Sequence, residues 1–265
     1  MNLDKSIKIT ILGCGPSGGV PLVGGIWGKC DPADPKNYRT RTSILIQTND
    51  HNILVDTSPD LRAQLLRENI GKIDGIFYTH AHADHCHGID DLRPIFIANK
   101  KGPIPVYGEE NVIDSLVKMF GYLFIKRGTS DKSVQYPQVL SPNVLPLYHQ
   151  VNLFGLQWTL FEQDHGFSKT TGYRFGNVAY STDVKALDDR AFEHLHDLDL
   201  WIVSCLGEKL KPTHSHLDLA LEWIKRANPK RAILIHMDQS LDYAILKAKL
   251  PANVEPAYDG MAVFC

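Results

Sequence analysis

Thr79-His80-Ala81-His82-Ala83-Asp84-His85 follows directly on residues 73–78, an apolar run that reads as a buried strand. Three histidines and a carboxylate within six residues at a strand end point to a metal site, because imidazole nitrogen and carboxylate oxygen are ordinary protein ligands of Zn²⁺, Mn²⁺ and Fe. His80 and His82 are two apart, so in an extended turn they project the same way. Asp84 and His85 come after a change of direction and can face a second ion. One short loop can therefore feed two metals.

Composition sets the bounds. A chain of 265 residues is long enough for an ample core and is read as one unit, residues 1–265. Twenty-eight basic against thirty acidic residues leave a formal charge of -2, so no bulk field is present to hold a nucleic-acid backbone or an anionic membrane. Cys14, Cys30, Cys86, Cys205 and Cys265 are odd in number, scattered and without a Cys-x-x-Cys pair, which fits a reducing cytoplasm and not a disulfide framework. Residues 1–10 contain no continuous apolar run, so they do not read as a signal peptide or a membrane span.

Along the chain, residues 6–12 alternate with period two as a strand and end in Gly13-Cys14-Gly15-Pro16-Ser17-Gly18. This matches G-x-G-x-x-G formally, but loop chemistry follows where a dinucleotide site needs a helix N-terminus, so a nicotinamide or flavin site is rejected. Residues 26–41 form a long aperiodic loop. Strands are expected at 42–48, 51–56, 73–78, 104–107, 144–147, 156–161, 171–175, 178–181, 199–204 and 231–235. Helices are expected at 60–69 with Asp60 as N-cap, 89–98, 109–120, 188–197, 217–226 and 241–249, while 121–142 reads as irregular. Two strand-built halves carrying helices outside would pack sheet to sheet.

His-x-His-x-Asp-His is the signature loop of the metallo-β-lactamase superfamily, and residues 80–85 resemble it at every ligand position. The resemblance implies an α/β fold, the αβ/βα four-layer sandwich of two mixed sheets with helices outside. It also implies three further ligands, and strand ends supply them in His165, Asp183 and His236. By resemblance, His80, His82 and His165 hold one ion, Asp84, His85 and His236 the other, and Asp183 bridges. Two divalent cofactor ions, Zn²⁺ or Mn²⁺, would bridge and deprotonate a water that attacks phosphorus. True metallo-β-lactamases place an arginine where His85 stands, which argues against antibiotic hydrolysis.

Gly13-x-Gly15 with Gly19-Val20-Pro21, Tyr38-Arg39, Ile104-Pro105-Val106-Tyr107-Gly108 and Tyr258-Asp259-Gly260-Met261 narrow the match. Together they resemble the phosphoribosyl cyclic phosphate phosphodiesterases of the carbon-phosphorus lyase pathway. That resemblance implies hydrolysis of small cyclic phosphodiesters, with a sugar cyclic phosphate or nucleotide as substrate. It makes Asp84, Asp183 and His216 catalytic, with His216 as general acid or phosphate contact, and His214 a secondary substrate contact. Arg39 and Arg41 are further candidates for a substrate phosphate. Early-loop cysteines that hold a structural zinc in that family are reduced here to Cys30, with Gln239 where a histidine would fall, which implies that this second site is missing. The rivals are a tRNA 3′-processing endonuclease, disfavoured by the lack of a basic face, and a thioesterase or lactonase on the same metals. The expected partners are thus a small phosphorylated molecule and at most a second copy in a homodimer, with no membrane and no nucleic acid.

Overall fold

The computed structural model describes residues 7–128 and 135–265. Ser6, the start of the first expected strand, and residues 129–134 of the expected irregular stretch lie outside the described residues. In chain order the strands are β1 Lys8–Gly13, β2 Ser43–Gln47, β3 Asn52–Val55, β4 Gly75–Phe77, β5 Ile104–Gly108, β6 Arg127–Gly128, β7 Gln135–Tyr136, β8 Leu140–Val144, β9 Gln150–Leu153 and β10 Leu156–Asp164. They continue with β11 Lys169–Phe175, β12 Val178–Ser181, β13 Leu200–Ser204, β14 Arg231–Ile235, β15 Val254–Pro256 and β16 Met261–Phe264. The α-helices are α1 Leu61–Arg67, α2 Ala83–Cys86, α3 Leu92–Asn99, α4 Glu110–Met119, α5 Gly121–Phe124, α6 Asp189–Phe192, α7 Leu217–Ala227 and α8 Tyr243–Lys249.

Two seven-stranded sheets result, in the orders β16-β1-β2-β3-β4-β5-β8 and β15-β14-β13-β12-β11-β10-β9. Both are mixed: β1, β2 and β3 run antiparallel and β3, β4, β5 and β8 parallel, while β12 to β15 are parallel in the second sheet. Alternation along the strands sets the layers. Ile44 and Ile46 of β2 and Ile53 and Val55 of β3 enter the core shared with Trp158, Tyr173 and Trp201 of the second sheet, whereas Leu45 and Leu54 face the helix-side core with Leu61, Leu92 and Leu116. Phe77 stacks on Trp158 across the two sheets with ring centroids 3.9 Å apart. Burying such a ring removes on the order of 150–250 Å² from water, so this contact is a principal tie between the halves.

The sandwich of two mixed sheets is therefore observed as expected, with corrections at its edges. The strand expected at 144–147 is β8, Leu140–Val144, whose sequence carries Pro142 and no apolar run. Proline lacks an N–H and is tolerated because β8 is an edge strand bonded only to β5. The strands β9, β15 and β16 were not expected, and β16 returns the chain terminus to β1 in the first sheet. The helix expected at 188–197 shrinks to α6, and the one at 89–98 opens as a 3-10 turn, Ile89–Asp91. Among the described residues, no helix is long and apolar enough to cross a membrane.

Candidate metal centre

Carboxyl ends of strands from both sheets meet at one cleft. β4 runs into Thr79 and His80, β10 ends just before His165, β12 leads to Asp183 and β14 to His236. Asp84 and His85 lie on the single turn α2, which redirects them from His80 and His82. Asp56, Asp183 and His236 all adopt positive φ, at 63°, 50° and 57°. Such backbone costs about 1–3 kcal/mol per residue and persists only where surrounding bonds over-determine it. Here those bonds include Asp56 N to Phe77 O and Met237 N to Cys14 O.

All seven residues expected as ligands come together in two groups that share one carboxylate. His80, His82, His165 and Asp183 form the first, and Asp84, His85, Asp183 and His236 the second, with candidate ligand atoms within 4.8 Å of one another in each. Asp183 divides between them. Its Oδ2 lies 3.7 Å from both His80 Nε2 and His165 Nε2, and its Oδ1 lies 3.1 Å from both His85 Nε2 and His236 Nε2. Asp84 Oδ2 completes the second group at 3.4 Å from His85 Nε2.

The donors fit divalent ions. His80 Nε2, His85 Nε2 and His236 Nε2 are buried without a hydrogen-bond partner, a costly state for an imidazole nitrogen that a metal relieves. The opposite nitrogens of three ligands are engaged: His80 Nδ1 with Thr79 Oγ1 (2.9 Å), His85 Nδ1 with Asp56 Oδ2 (2.7 Å), and His165 Nδ1 with the Thr213 carbonyl (2.8 Å). These bonds assign the tautomers that leave Nε2 free, as metal-ligating histidines require. Asp56 was not singled out from the sequence, although it closes the apolar strand β3 in the same way that Asp183 follows β12.

Electrostatics separate the groups. Burial lowers the pKa of His80 well below 6.5, and burial likewise lowers that of His165. Burial alone would lower His85 too, but the facing Asp183 and Asp56 carboxylates outweigh it and hold its pKa well above 6.5. Burial raises Asp183, yet His236 and His85 more than offset that and keep its carboxyl well below the usual range.

The substrate contacts expected from sequence are rearranged. His214 joins the cluster: its ring stacks on His236 (centroids 5.0 Å apart), meets His165 edge-on (4.7 Å), and its Nδ1 is buried without a partner 4.0 Å from Asp183 Oδ2. His216 instead occupies the N-cap position of α7, with no side-chain cap bond, and its loop pairs with Gly207. Of the two, His214 is the one with ring contacts to the ligand histidines; Ser215 between them is buried and bonded to Ser204 O, and His216 Nδ1 is also buried without a partner.

Arg39 is not a substrate contact. It is 1% exposed and donates to the carbonyls of Asp238 (3.0 Å) and Leu241 (2.6 Å) and to Asn37 Oδ1 (3.2 Å), with Met237 O at 3.5 Å. It clamps the segment that follows His236 to the early loop. Gly28, at φ 57°, packs the same loop against Gln239, where a Cβ would approach Gln239 Cγ to 2.5 Å. Arg41 is likewise spoken for: its Nε pairs with Asp60 Oδ2 at 2.9 Å, which takes the Asp60 side chain away from the helix cap expected of it.

The Beta-lactamase superfamily domain model matches residues 51–237. An octanoyltransferase of Porphyromonas gingivalis is 31% identical over 96% of this chain and 51% of its own length. A ribonuclease Z of a Bradyrhizobium species is 30% identical over 34% of this chain and 31% of its own. The chain thus spans about half and about a third of these two relatives. The solved structure of a diphosphatase from the PhnP family is 32% identical with a TM-score of 0.87, covering 98% of this chain and 97% of that one.

Proposed function

This chain belongs to the beta-lactamase superfamily and has the fold of its metal-dependent hydrolases, and on that premise we propose that it is a dinuclear phosphodiesterase acting on small cyclic phosphodiesters of the phosphoribosyl or nucleotide type. The observation that carries the reading is Asp183, one carboxylate facing two complete ligand groups. Similarity from end to end with a PhnP-family diphosphatase supports phosphorus as the centre attacked.

His80, His82 and His165 would hold one ion and Asp84, His85 and His236 the other, with Asp183 shared. Bound Zn²⁺ or Mn²⁺ supplies Lewis acidity to the cleft. The protein's own part is orientation. Thr79, Asp56 and Thr213 fix three imidazoles so that only Nε2 faces the cleft. His214 has its pKa pushed down to about 4, first by burial and then by the neighbouring His236, so it is neutral at pH 7. Its role is therefore to offer a hydrogen bond to a phosphoryl or departing oxygen, with the stacked His236 ring holding the angle. Expulsion of water from this buried corner strengthens that bond.

A second reading, cleavage of a thioester or lactone by the same cluster, draws on the acyl chemistry named for the Porphyromonas relative. The deciding experiment is hydrolysis by the metal-reconstituted protein of bis(p-nitrophenyl) phosphate, ribose cyclic phosphate esters, 2′,3′-cyclic nucleotides, a tRNA precursor and a lactone. Diester turnover abolished in Asp183→Ala is expected. Turnover confined to the lactone or to the tRNA overturns the proposal.

A further inference from the structure

Asp183 stands just past the end of β12, where pairing with β11 stops at Tyr180 and pairing with β13 at Ser181. Its backbone is at φ 50°. The two peptide planes that flank Asp183 define its conformation, and the carbonyls of both are held from a single side chain. Gln163 Nε2 donates to Thr182 O at 3.1 Å and to Thr170 Oγ1 at 3.1 Å, and Thr170 Oγ1 donates onward to Asp183 O at 3.1 Å. A carbonyl only accepts, and Thr170 gives its own proton to Asp183 O, so Gln163 must present its NH₂ to both. One amide thus clamps the plane before Asp183 directly and the plane after it through one hydroxyl.

Gln163 is 1% exposed, and Thr170 and Thr182 are buried with it. Its Oε1 has no hydrogen-bond partner, a cost that an apolar side chain at this position of β10 would not carry. Room for the amide comes from Gly172, where a Cβ would stand 2.7 Å from Gln163 Oε1. The clamp continues into the carboxylate. Thr182 Oγ1 donates at 2.9 Å to Asp183 Oδ1, the oxygen that lies 3.1 Å from His85 Nε2 and from His236 Nε2. The backbone fixes where the side chain starts, and Thr182 fixes how its plane is turned.

We propose that Gln163 is a positioning residue for the metal pair: through Thr170 and Thr182 it fixes the backbone at Asp183, and so sets the angle at which that one carboxylate spans the two ligand groups. The proposal rests on the dinuclear reading of the centre and adds what holds the shared ligand in place. The described hydrogen bonds of Gln163 reach no ligand side chain, so its effect on the ions passes through Asp183 alone.

Electron paramagnetic resonance of the Mn²⁺-loaded protein tests it in three variants. Gln163→Met keeps the length of the side chain and removes both donors, Thr170→Val breaks only the link to Asp183 O, and Thr170→Ser retains that link. In Gln163→Met and Thr170→Val the second Mn²⁺ is expected to bind about tenfold more weakly, with the exchange coupling of the pair reduced about twofold. Thr170→Ser is expected to keep the wild-type spectrum. Wild-type coupling in both Gln163→Met and Thr170→Val, even with a lowered Tm, overturns the positioning role, because a purely structural residue would lower Tm and leave the coupling alone. An equal loss of coupling in Thr170→Ser and Thr170→Val overturns it as well. A single uncoupled Mn²⁺ in the wild type overturns the dinuclear reading on which the proposal stands.

Discussion

Asp56 Oδ2 and His85 Nδ1 lie 2.7 Å apart in a corner where both side chains are wholly buried. The same oxygen accepts from Thr79 Oγ1 at 2.8 Å, and Thr79 Oγ1 meets His80 Nδ1 at 2.9 Å. One carboxylate outside both ligand groups thus orients a histidine in each. Asp56→Asn is expected to weaken metal binding at the His85 group by about 10–100-fold, the usual cost of losing such an outer partner. Thr79→Val, which interrupts only the branch to His80, should weaken the other group and spare the His85 group. Competition with a chelator of known affinity reads both, and equal effects of the two variants would contradict the branched arrangement.

Arg39 and Arg41 are alike in sequence and opposite in setting. Arg39→Met leaves buried carbonyls at Asp238 and Leu241 without donors, and a loss of about 3 kcal/mol is expected, read as a Tm lowered by roughly 8 °C. Arg41→Met removes a partly exposed pair with Asp60 and should cost less than about 1 kcal/mol. Because Arg39 braces the segment after His236, its variant should also lose metal from the Asp84, His85 and His236 group first. Thermal melts and metal analysis check both points.

His214→Ala should lower kcat for a diester by about 10²–10³, the range found when one oriented donor is removed from a catalytic site. His216→Ala, at the α7 cap and without a bond of its own there, should leave kcat within about tenfold. The reverse ranking would restore His216 to the role that the sequence suggests.

Metal uptake should be more sensitive to pH in the group that holds His85. Outweighing burial, the Asp183 and Asp56 carboxylates hold the pKa of His85 well above 6.5, so protons compete with an ion there more strongly than at His80 and His165, whose pKa values burial lowers. Lowering the pH protonates His85 further and opposes binding. Affinity at the second group should therefore fall more steeply with falling pH than at the first, with more protons released per ion bound there. Calorimetry in buffers of different ionisation enthalpy measures the release, and equal release in the two phases would count against this assignment.

Much of the centre is legible in the sequence because several of its residues follow largely apolar strands. Asp183 after Val178–Ser181 and His236 after Arg231–Ile235 each stand where a buried strand must end. What the sequence hides is decided by tertiary contacts. A loop arginine that is buried, as Arg39 is, reads no differently from one in solvent. Two histidines separated by one serine cannot be ranked until the turn between them is placed. β8 is disguised by Pro142, which only an edge position allows.

The most direct test of the central claim is electron paramagnetic resonance of the metal-free protein titrated with Mn²⁺. Two ions per chain are expected, with an exchange-coupled spectrum that is lost in Asp183→Ala, because the Asp183 carboxylate faces both ligand groups. A single uncoupled Mn²⁺ at saturation, or coupling that survives in Asp183→Ala, would contradict the account.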